Sequence, residues 1–252
     1  MTEQAIHRLL LWAWLGAAAV VFVVLLFIAA PYGRHLRRGW GPTLSSRLGW
    51  LLMEAPAPLL FAALFLAGDR TADPVAIFFL ALWLFHYAYR AFLFPALMHD
   101  GRRMPVLVTL FGIIFNVGNA YLNGRWLNLL GPAYGPEWFA DPRFIVGTAL
   151  FLAGFVVHCR ADAELRGLRA SGETGYKIPR GRLFRWVSSP NYLGEIVQWG
   201  GWALATWSLA GLAFFLWTIA NLVPRARSNH RWYRENFPDY PPERRALVPF
   251  VF

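Results

Sequence analysis

Apolar residues are grouped along this chain into seven stretches of at least 15 residues, and short polar segments separate them. An α-helix needs about 20 residues to cross ~30 Å of hydrocarbon, because it rises ~1.5 Å per residue. The pattern predicts an all-α polytopic membrane protein in which residues 1–252 form a single domain of seven transmembrane helices. The predicted spans are residues 9–30, 48–68, 74–98, 105–122, 144–158, 192–206 and 209–223.

The second predicted span contains a carboxylate that two prolines follow closely. Pro56 and Pro58 come just after Glu54. A proline inside a helix leaves the carbonyl four residues earlier without its backbone donor, and within a membrane another group must replace that donor. We therefore expect the helix to kink or break after Glu54.

Basic residues are distributed unequally between the two sides of the predicted spans. The loops on one side hold 19 of the 24 Lys and Arg residues. Because basic residues are retained in cytoplasmic loops, this predicts an outside N-terminus and a cytoplasmic C-terminus. The same placement accounts for the net charge of +10, so nucleic acid is not an expected partner.

The remaining composition narrows the class of protein and its location. A hydrophobic content of 57% and a charged content of 15% exclude an ordinary soluble domain. Lys177 is the only lysine, a bias that favours a bacterial inner membrane, with the endoplasmic reticulum as the alternative for a eukaryotic source. Membrane lipids are expected partners, and a monomer is the expected state.

Several of the apolar spans carry polar or ionisable side chains. Such groups are costly in hydrocarbon unless they are paired or line a wet cavity, so together they indicate a ligand site. In the sixth span, Asn191, Glu195 and Gln198 share one helical face. The other intramembrane polar residues that indicate the site are Glu54, His86, Tyr87, Arg90, Asn116 and Asn119.

The predicted cytoplasmic end of the chain combines arginines with aromatic, amide and carboxylate side chains. Arginines bind phosphates through paired hydrogen bonds, while aromatic rings and amides can hold a base and a ribose, so the set fits a dinucleotide. No GxGxxG motif follows a strand, which places any nucleotide between helices. No HxxH or HExxH pairing is present, and no metal is expected. The residues concerned are Asp162, Arg169, Tyr176, Asn191, Arg225, His230 and Tyr233.

The motifs of this chain resemble those of the steroid 5-alpha-reductase family of integral-membrane reductases. The resemblance extends from Tyr32-Gly33 to the closing segment 246–252 and includes the motif Ser-Pro-Asn-Tyr-Leu-Gly-Glu at residues 189–195. The other matching positions are Glu54, His86-Tyr87, Arg90, Gly101-Arg102, Gly118-Asn119, Asp162, Arg169, Gly172-Glu173, residues 176–179 and residues 230–233. The resemblance implies seven transmembrane helices, NADPH as the cofactor and a 3-oxo-4-ene steroid as the substrate.

The resemblance also implies roles for individual residues. Glu54 and Tyr87 would polarise the steroid 3-carbonyl while a hydride is added at C5, and Trp50 and Phe115 would be walls of the steroid pocket. The implied cofactor residues are Tyr32, Arg90, Arg102, Asn119, His158, Asp162, Arg169, Tyr176, Asn191, Glu195, Arg225, His230 and Tyr233. Three positions depart from the family pattern: Met53 replaces a glutamine, His158 replaces an amide, and Asn229-His230 replaces a run of histidines.

Other functions remain open at the level of the sequence. An enoyl reductase acting on another lipid would use the same mechanism. A membrane methyltransferase of the isoprenylcysteine type, which uses S-adenosylmethionine, has a similar C-terminal half but would not require Glu54 and Tyr87. A lipid- or sterol-binding protein or a transporter is the non-enzyme alternative. A transporter would more naturally show repeated halves, and the chain shows none.

Overall fold

The computed structural model describes residues 1–99, 101–169, 173 and 175–252, so Gly172 of the matching motifs lies outside the described residues. The helices in this part of the chain are α1 Glu3–Phe27, α2 Ser46–Glu54, α3 Pro56–Leu66, α4 Pro74–Tyr87, α5 Phe94–Ala96, α6 Val106–Arg125, α7 Pro142–Gly167, α8 Pro190–Thr206 and α9 Leu209–Asn236. Two short strands, β1 Thr43–Ser45 and β2 Arg103–Pro105, pair antiparallel. The prediction of an all-α fold is confirmed.

Six helical segments in the described part of the chain are long and apolar enough to cross a membrane. They are Glu3–Phe27, Ser46–Leu66, Pro74–Ala96, Val106–Leu130, Pro142–Gly167 and Leu209–Asn236. The helix α8, in the region of the sixth predicted span, has 17 residues. The count of seven spans and their orientation therefore stay predictions.

The prolines of the second span act as the sequence predicts. The helix α2 ends at Glu54, Ala55 separates the two helices, and α3 begins at Pro56. Proline is favoured in the first turn of a helix because the missing N–H has no partner there. Helix α4 also begins with a proline, Pro74. The preceding Asp73 caps this helix, because its carboxylate accepts hydrogen bonds from Val75 N at 2.8 Å and Ala76 N at 3.2 Å.

Three helices extend beyond the ends of their predicted spans. One of them is α7, which continues to Gly167, past the predicted end at residue 158. The interval between the predicted spans 105–122 and 144–158 predicts a loop over residues 123–142, but α6 continues to Arg125 and a π-helical segment follows at Trp126–Leu130. The helix α9 continues to Asn236, past the predicted end of its span at residue 223. Hydropathy marks where apolar residues stop, whereas a helix can continue in water on polar residues such as those of the α9 C-terminal part.

The contacts within the chain define two compact units. The first comprises Met1–Ala13, Pro31–Ile145 and Ser208–Ala210. In this unit α6 packs along both α2 and α3. Gly112 of α6 allows a close approach, because a Cβ there would overlap the side chain of Met53 in α2. Trp83 of α4 stacks on Phe61 of α3 with the ring centroids 4.5 Å apart. The helices that carry Glu54, Tyr87 and Asn116 are thus packed in one unit.

The second unit comprises Trp14–Ala30, Val146–Trp207 and Gly211–Phe252. Four glycines bring its helices α7 and α8 into backbone contact, Gly147 and Gly154 on α7 and Gly194 and Gly201 on α8. A Cβ at any of the four would meet backbone atoms of the facing helix. Small residues at such crossings are typical of membrane helices, which gain van der Waals contact by approaching closely.

Candidate active site

The first unit contains a buried group that we call the carboxyl–phenol cluster, formed by Glu54, Tyr87, Arg90 and Asn116. Glu54 ends α2, Tyr87 ends α4, and Asn116 lies within α6. The Tyr87 hydroxyl donates to Asn116 Oδ1 at 3.2 Å, and Asn116 Nδ2 donates to Glu54 Oε2 at 3.3 Å. A single amide therefore contacts both predicted catalytic side chains.

Arg90 joins the cluster through an ion pair and an aromatic contact. Its Nε lies 3.6 Å from Glu54 Oε1, with side-chain exposures of only 14% and 11%. Its Cζ lies 4.3 Å from the ring centroid of Trp50, a distance typical of a cation–π contact. Arg90 belongs to the π-helical segment Ala88–Leu93 that follows α4. Such segments occur frequently at functional sites because they turn side chains away from the regular helical rows.

Aromatic side chains surround the phenol of the cluster. The ring of Tyr87 lies 5.2 Å from Trp83 and 4.9 Å from His86, measured between centroids. Trp83 is itself held by a hydrogen bond from its Nε1 to the carbonyl of Ala57 at 3.2 Å. Tyr87 is 2% exposed and Glu54 8%. A carboxyl, a guanidinium and a phenol thus share a largely apolar environment, in which their electrostatic interactions are stronger than in water.

The second unit contains a separate group, the imidazole–carboxylate cluster of His158, Asp162, Asn191 and Glu195. His158 and Asp162 lie one turn apart on α7, while Asn191 and Glu195 lie one turn apart on α8. His158 Nε2 is 3.5 Å from Asp162 Oδ2, and its Nδ1 is 3.9 Å from Glu195 Oε1. Asn191 Nδ2 donates to Asp162 Oδ1 at 3.1 Å. The glycine contacts between α7 and α8 bring these four side chains together.

A tyrosine beside this cluster binds an arginine of α9. Arg225 Nε donates to the Tyr192 hydroxyl at 2.9 Å, and Arg225 Nη1 donates to the Ala30 carbonyl at 3.3 Å. Asn229 Nδ2 lies 3.5 Å from the same hydroxyl. His230 has a different partner, since its Nδ1 is 2.7 Å from Ser188 Oγ. Asn229 and His230 therefore contact different side chains, although they are adjacent in the sequence.

Aromatic contacts link the predicted cytoplasmic residues of the second unit. Arg169 Cζ lies 5.4 Å from the ring centroid of Tyr176, whose ring is 5.0 Å from Trp232. The rings of Tyr233 and Tyr240 stack with centroids 5.1 Å apart and an angle of 7°. A guanidinium beside exposed or half-buried aromatic faces can bind a phosphate and a base at the same time.

Several buried polar atoms have no hydrogen-bond partner among the described residues, and these include one atom in each of two sequence motifs described above. The two atoms are Asn119 Nδ2 in the first unit and Ser189 Oγ in the second, and both side chains are 1% exposed. Buried polar groups are normally hydrogen-bonded, so such atoms indicate where a ligand's polar groups could bind. An amide N–H can donate to a carbonyl or phosphate oxygen of a ligand, and a hydroxyl can both donate and accept.

The other predicted site residues lie in the first unit. Tyr32 immediately precedes the 3-10 turn Gly33–His35, Arg102 immediately precedes β2, and Phe115 adjoins Asn116 on α6. All three are half-buried. The sequence did not identify Ser188, Tyr192 or Tyr240 as contributors, although Ser188 and Tyr192 lie in or beside the motif of residues 189–195. Asn116 was recognised as an intramembrane amide but was not assigned to the catalytic pair.

Comparisons with known proteins match both units of the chain. The family model for 3-oxo-5-alpha-steroid 4-dehydrogenase matches residues 102–252. Steroid 5-alpha-reductase DET2 of Gossypium hirsutum is 43% identical over 256 residues, which cover 100% of this chain and 99% of the relative. The 3-oxo-5-alpha-steroid 4-dehydrogenase 1 of Bos taurus is 40% identical over 255 residues, with 100% and 99% covered. The Homo sapiens protein of the same name is 40% identical over 224 residues, with 88% and 86% covered.

Proposed function

The chain belongs to the family of 3-oxo-5-alpha-steroid 4-dehydrogenases, which are oxidoreductases, and from this we propose that it reduces the 4,5 double bond of a 3-oxo-4-ene steroid with NADPH. The observation that carries the proposal is the hydrogen-bonded sequence Tyr87–Asn116–Glu54. Because both side chains contact one amide, both are close enough to reach a single ketone oxygen. A membrane methyltransferase would not require this arrangement.

The carboxyl–phenol cluster fits the polarisation of a conjugated ketone. Hydride addition at C5 pushes negative charge through the conjugated system onto the 3-oxygen, and C4 then takes a proton from water. Donors aimed at that oxygen lower the barrier because the charge develops in the transition state. The Tyr87 hydroxyl can donate without ionising, and a Glu54 that carries a proton can donate as well. Arg90 balances the carboxylate of Glu54 whenever that group is ionised.

The residues of the second unit fit the binding of NADPH, which supplies the hydride when bound. Arg169 and Arg225 are suited to phosphate groups, and Tyr176 offers an aromatic face beside Arg169. Asn191 and Glu195 are suited to the hydroxyl and amide groups of a ribose or a nicotinamide. The unpartnered Ser189 Oγ adds a further polar group at the start of α8.

The proposal is tested with purified protein in detergent, NADPH and testosterone or progesterone. The expected product is two hydrogens heavier by mass and has the 5α configuration. Tyr87→Phe and Glu54→Gln should each lower the rate at least ~10²-fold with NADPH binding largely unchanged, as expected for a lost positioned donor. Tyr89→Phe, a half-buried tyrosine two residues further on, serves as the matched control and should retain activity. Full activity in both cluster variants would remove this mechanism.

A further inference from the structure

Asn116 contacts both reactive side chains of the carboxyl–phenol cluster. It is 3% exposed and lies on α6, whereas the groups it contacts belong to α2 and α4. Its amide makes three hydrogen bonds, to Met53 O at 2.8 Å, to Glu54 Oε2 at 3.3 Å and from the Tyr87 hydroxyl at 3.2 Å. The side chain thus connects three helices at the candidate active site.

The orientation of this amide follows from its partners. A backbone carbonyl can only accept, so the atom of Asn116 that faces Met53 O must be the nitrogen. The two hydrogens of that nitrogen are then directed to Met53 O and to Glu54. The oxygen remains for Tyr87, whose hydroxyl must be the donor. A reversed amide would place its oxygen against the Met53 carbonyl, which is unfavourable, so the three contacts hold one orientation.

We propose that Asn116 is a positioning residue that fixes the Glu54 carboxyl and the Tyr87 hydroxyl relative to each other for the ketone oxygen. The inference rests on the proposed reductase function. The Tyr87 proton is directed at Asn116 Oδ1, and rotation about the C–O bond of the phenol would redirect it to a ketone oxygen. The phenol oxygen itself need not move. Asn116 acts through Glu54 and Tyr87 and need not touch the steroid.

The close packing of α2 and α6 supports this role. Gly112 lies one turn before Asn116, and a Cβ there would overlap the Met53 side chain. The absence of a side chain lets α6 approach the last turn of α2, which brings the short Asn116 side chain within reach of Met53 O and Glu54. A displacement of about 1 Å in a catalytic group can lower a rate ~10²-fold, so the precision of this contact matters.

The test compares Asn116→Leu, which has a similar volume and no hydrogen-bonding groups, with Thr109→Val on the same helix. Thr109 is 3% exposed, and its hydroxyl donates to Met104 Sδ at 3.4 Å. Thr109→Val therefore shows the effect of removing a buried polar group of α6 that lies outside the cluster. We expect Asn116→Leu to lower kcat ~10- to ~10²-fold while the Kd for NADPH stays within about twofold. Thr109→Val should keep the wild-type kcat.

A double-mutant comparison separates positioning from general packing. If Asn116 acts through Tyr87, Asn116→Leu should cost much less in a Tyr87→Phe background than in the wild type, because coupled residues are not additive. Asn116→Asp keeps the acceptor for Tyr87 and loses both donors, so it should also lower kcat. This variant replaces Asn116→Leu in the test if the leucine variant does not fold. Equal fold-losses in both backgrounds, or a loss of NADPH affinity in step with kcat, would overturn the positioning role.

Failure of this inference can be distinguished from failure of the proposed function. Impaired Tyr87→Phe and Glu54→Gln with a fully active Asn116→Leu would refute only the positioning role. Fully active Tyr87→Phe and Glu54→Gln, or a wild-type protein that reduces neither steroid, would refute the proposed function and the inference that rests on it.

Discussion

Replacing Gly154 with alanine places a methyl group against the backbone of the facing helix. The added carbon would meet Gly194 O and Gln198 N, both of them backbone atoms of α8. A side-chain obstacle can move to another rotamer, but a backbone obstacle cannot. The helices α7 and α8 must therefore separate or shift to accommodate the methyl group.

Two opposing effects set the size of the change. Alanine is favoured over glycine within a helix by ~1 kcal/mol. Overpacking typically costs ~1–3 kcal/mol, and the rigid obstacle here places the cost in the upper part of that range. The net loss of stability is therefore about 1–2 kcal/mol. For a chain of 252 residues, 1 kcal/mol corresponds to roughly 2–4 °C, so the Tm should fall by ~2–8 °C.

The assay is thermal unfolding in detergent, followed by tryptophan fluorescence, together with NADPH titration. Gly16→Ala in α1 is the matched control, because nothing lies within 4 Å of a Cβ at that position. Its Tm should stay equal or rise, since it gains helix propensity without an overlap. NADPH affinity should fall in Gly154→Ala only, because the shifted helices carry His158 and Glu195. A Gly154→Ala protein with the same Tm as the Gly16→Ala protein would refute the reasoning.

Two further predictions concern the cofactor and alkaline stability. Arg169→Ala should weaken binding of NADPH more than of NADH, whereas Arg166→Ala, three residues earlier in the last turn of α7, should change neither affinity much. Equal losses for the two cofactors in isothermal titration would show that Arg169 does not bind the additional phosphate. Burial raises the pKa of the Tyr134 hydroxyl to about 12, so the folded state keeps a proton that the unfolded state loses near pH ~10. The contribution of Tyr134 to folding stability is therefore complete below about pH 10 and is lost as the pH rises toward ~12. In Tyr134→Phe the Tm should fall less steeply over this pH range. The same dependence of Tm on pH in the variant and the wild type would contradict this prediction.

The positions of the helices could be predicted because their causes are local. Apolar runs, the prolines after Glu54 and the acidic cap at Asp73 act within a few residues. Helix ends that lie in polar sequence are harder to predict, as the continuation of α6 to Arg125 and of α9 to Asn236 illustrates. Hydropathy reports the solvent around a helix and contains no information on where its hydrogen bonding stops.

The candidate site could be predicted as a set of polar residues within apolar spans but not as a set of contacts. The cost of polar groups in a membrane identified Glu54, Tyr87 and Asn116 one by one. Their connection depends on α6 packing against α2, which brings together residues about 60 positions apart. The paired glycines of α7 and α8 were a missed signal. Gly147 and Gly154, like Gly194 and Gly201, are seven residues apart, a spacing that places each pair on one helical face.

The location of Glu54 at the end of α2 explains why this carboxyl requires its partners. Pro56 and Pro58 have no N–H, so the last turn of α2 keeps carbonyl groups without helical donors. The C-terminus of a helix is the negative end of its dipole and disfavours a carboxylate. Arg90 supplies a positive charge 3.6 Å away, and Asn116 donates to both the carboxyl and the Met53 carbonyl of the same turn. The break that leaves Glu54 at a helix end therefore also creates the need for the two side chains that hold it in place.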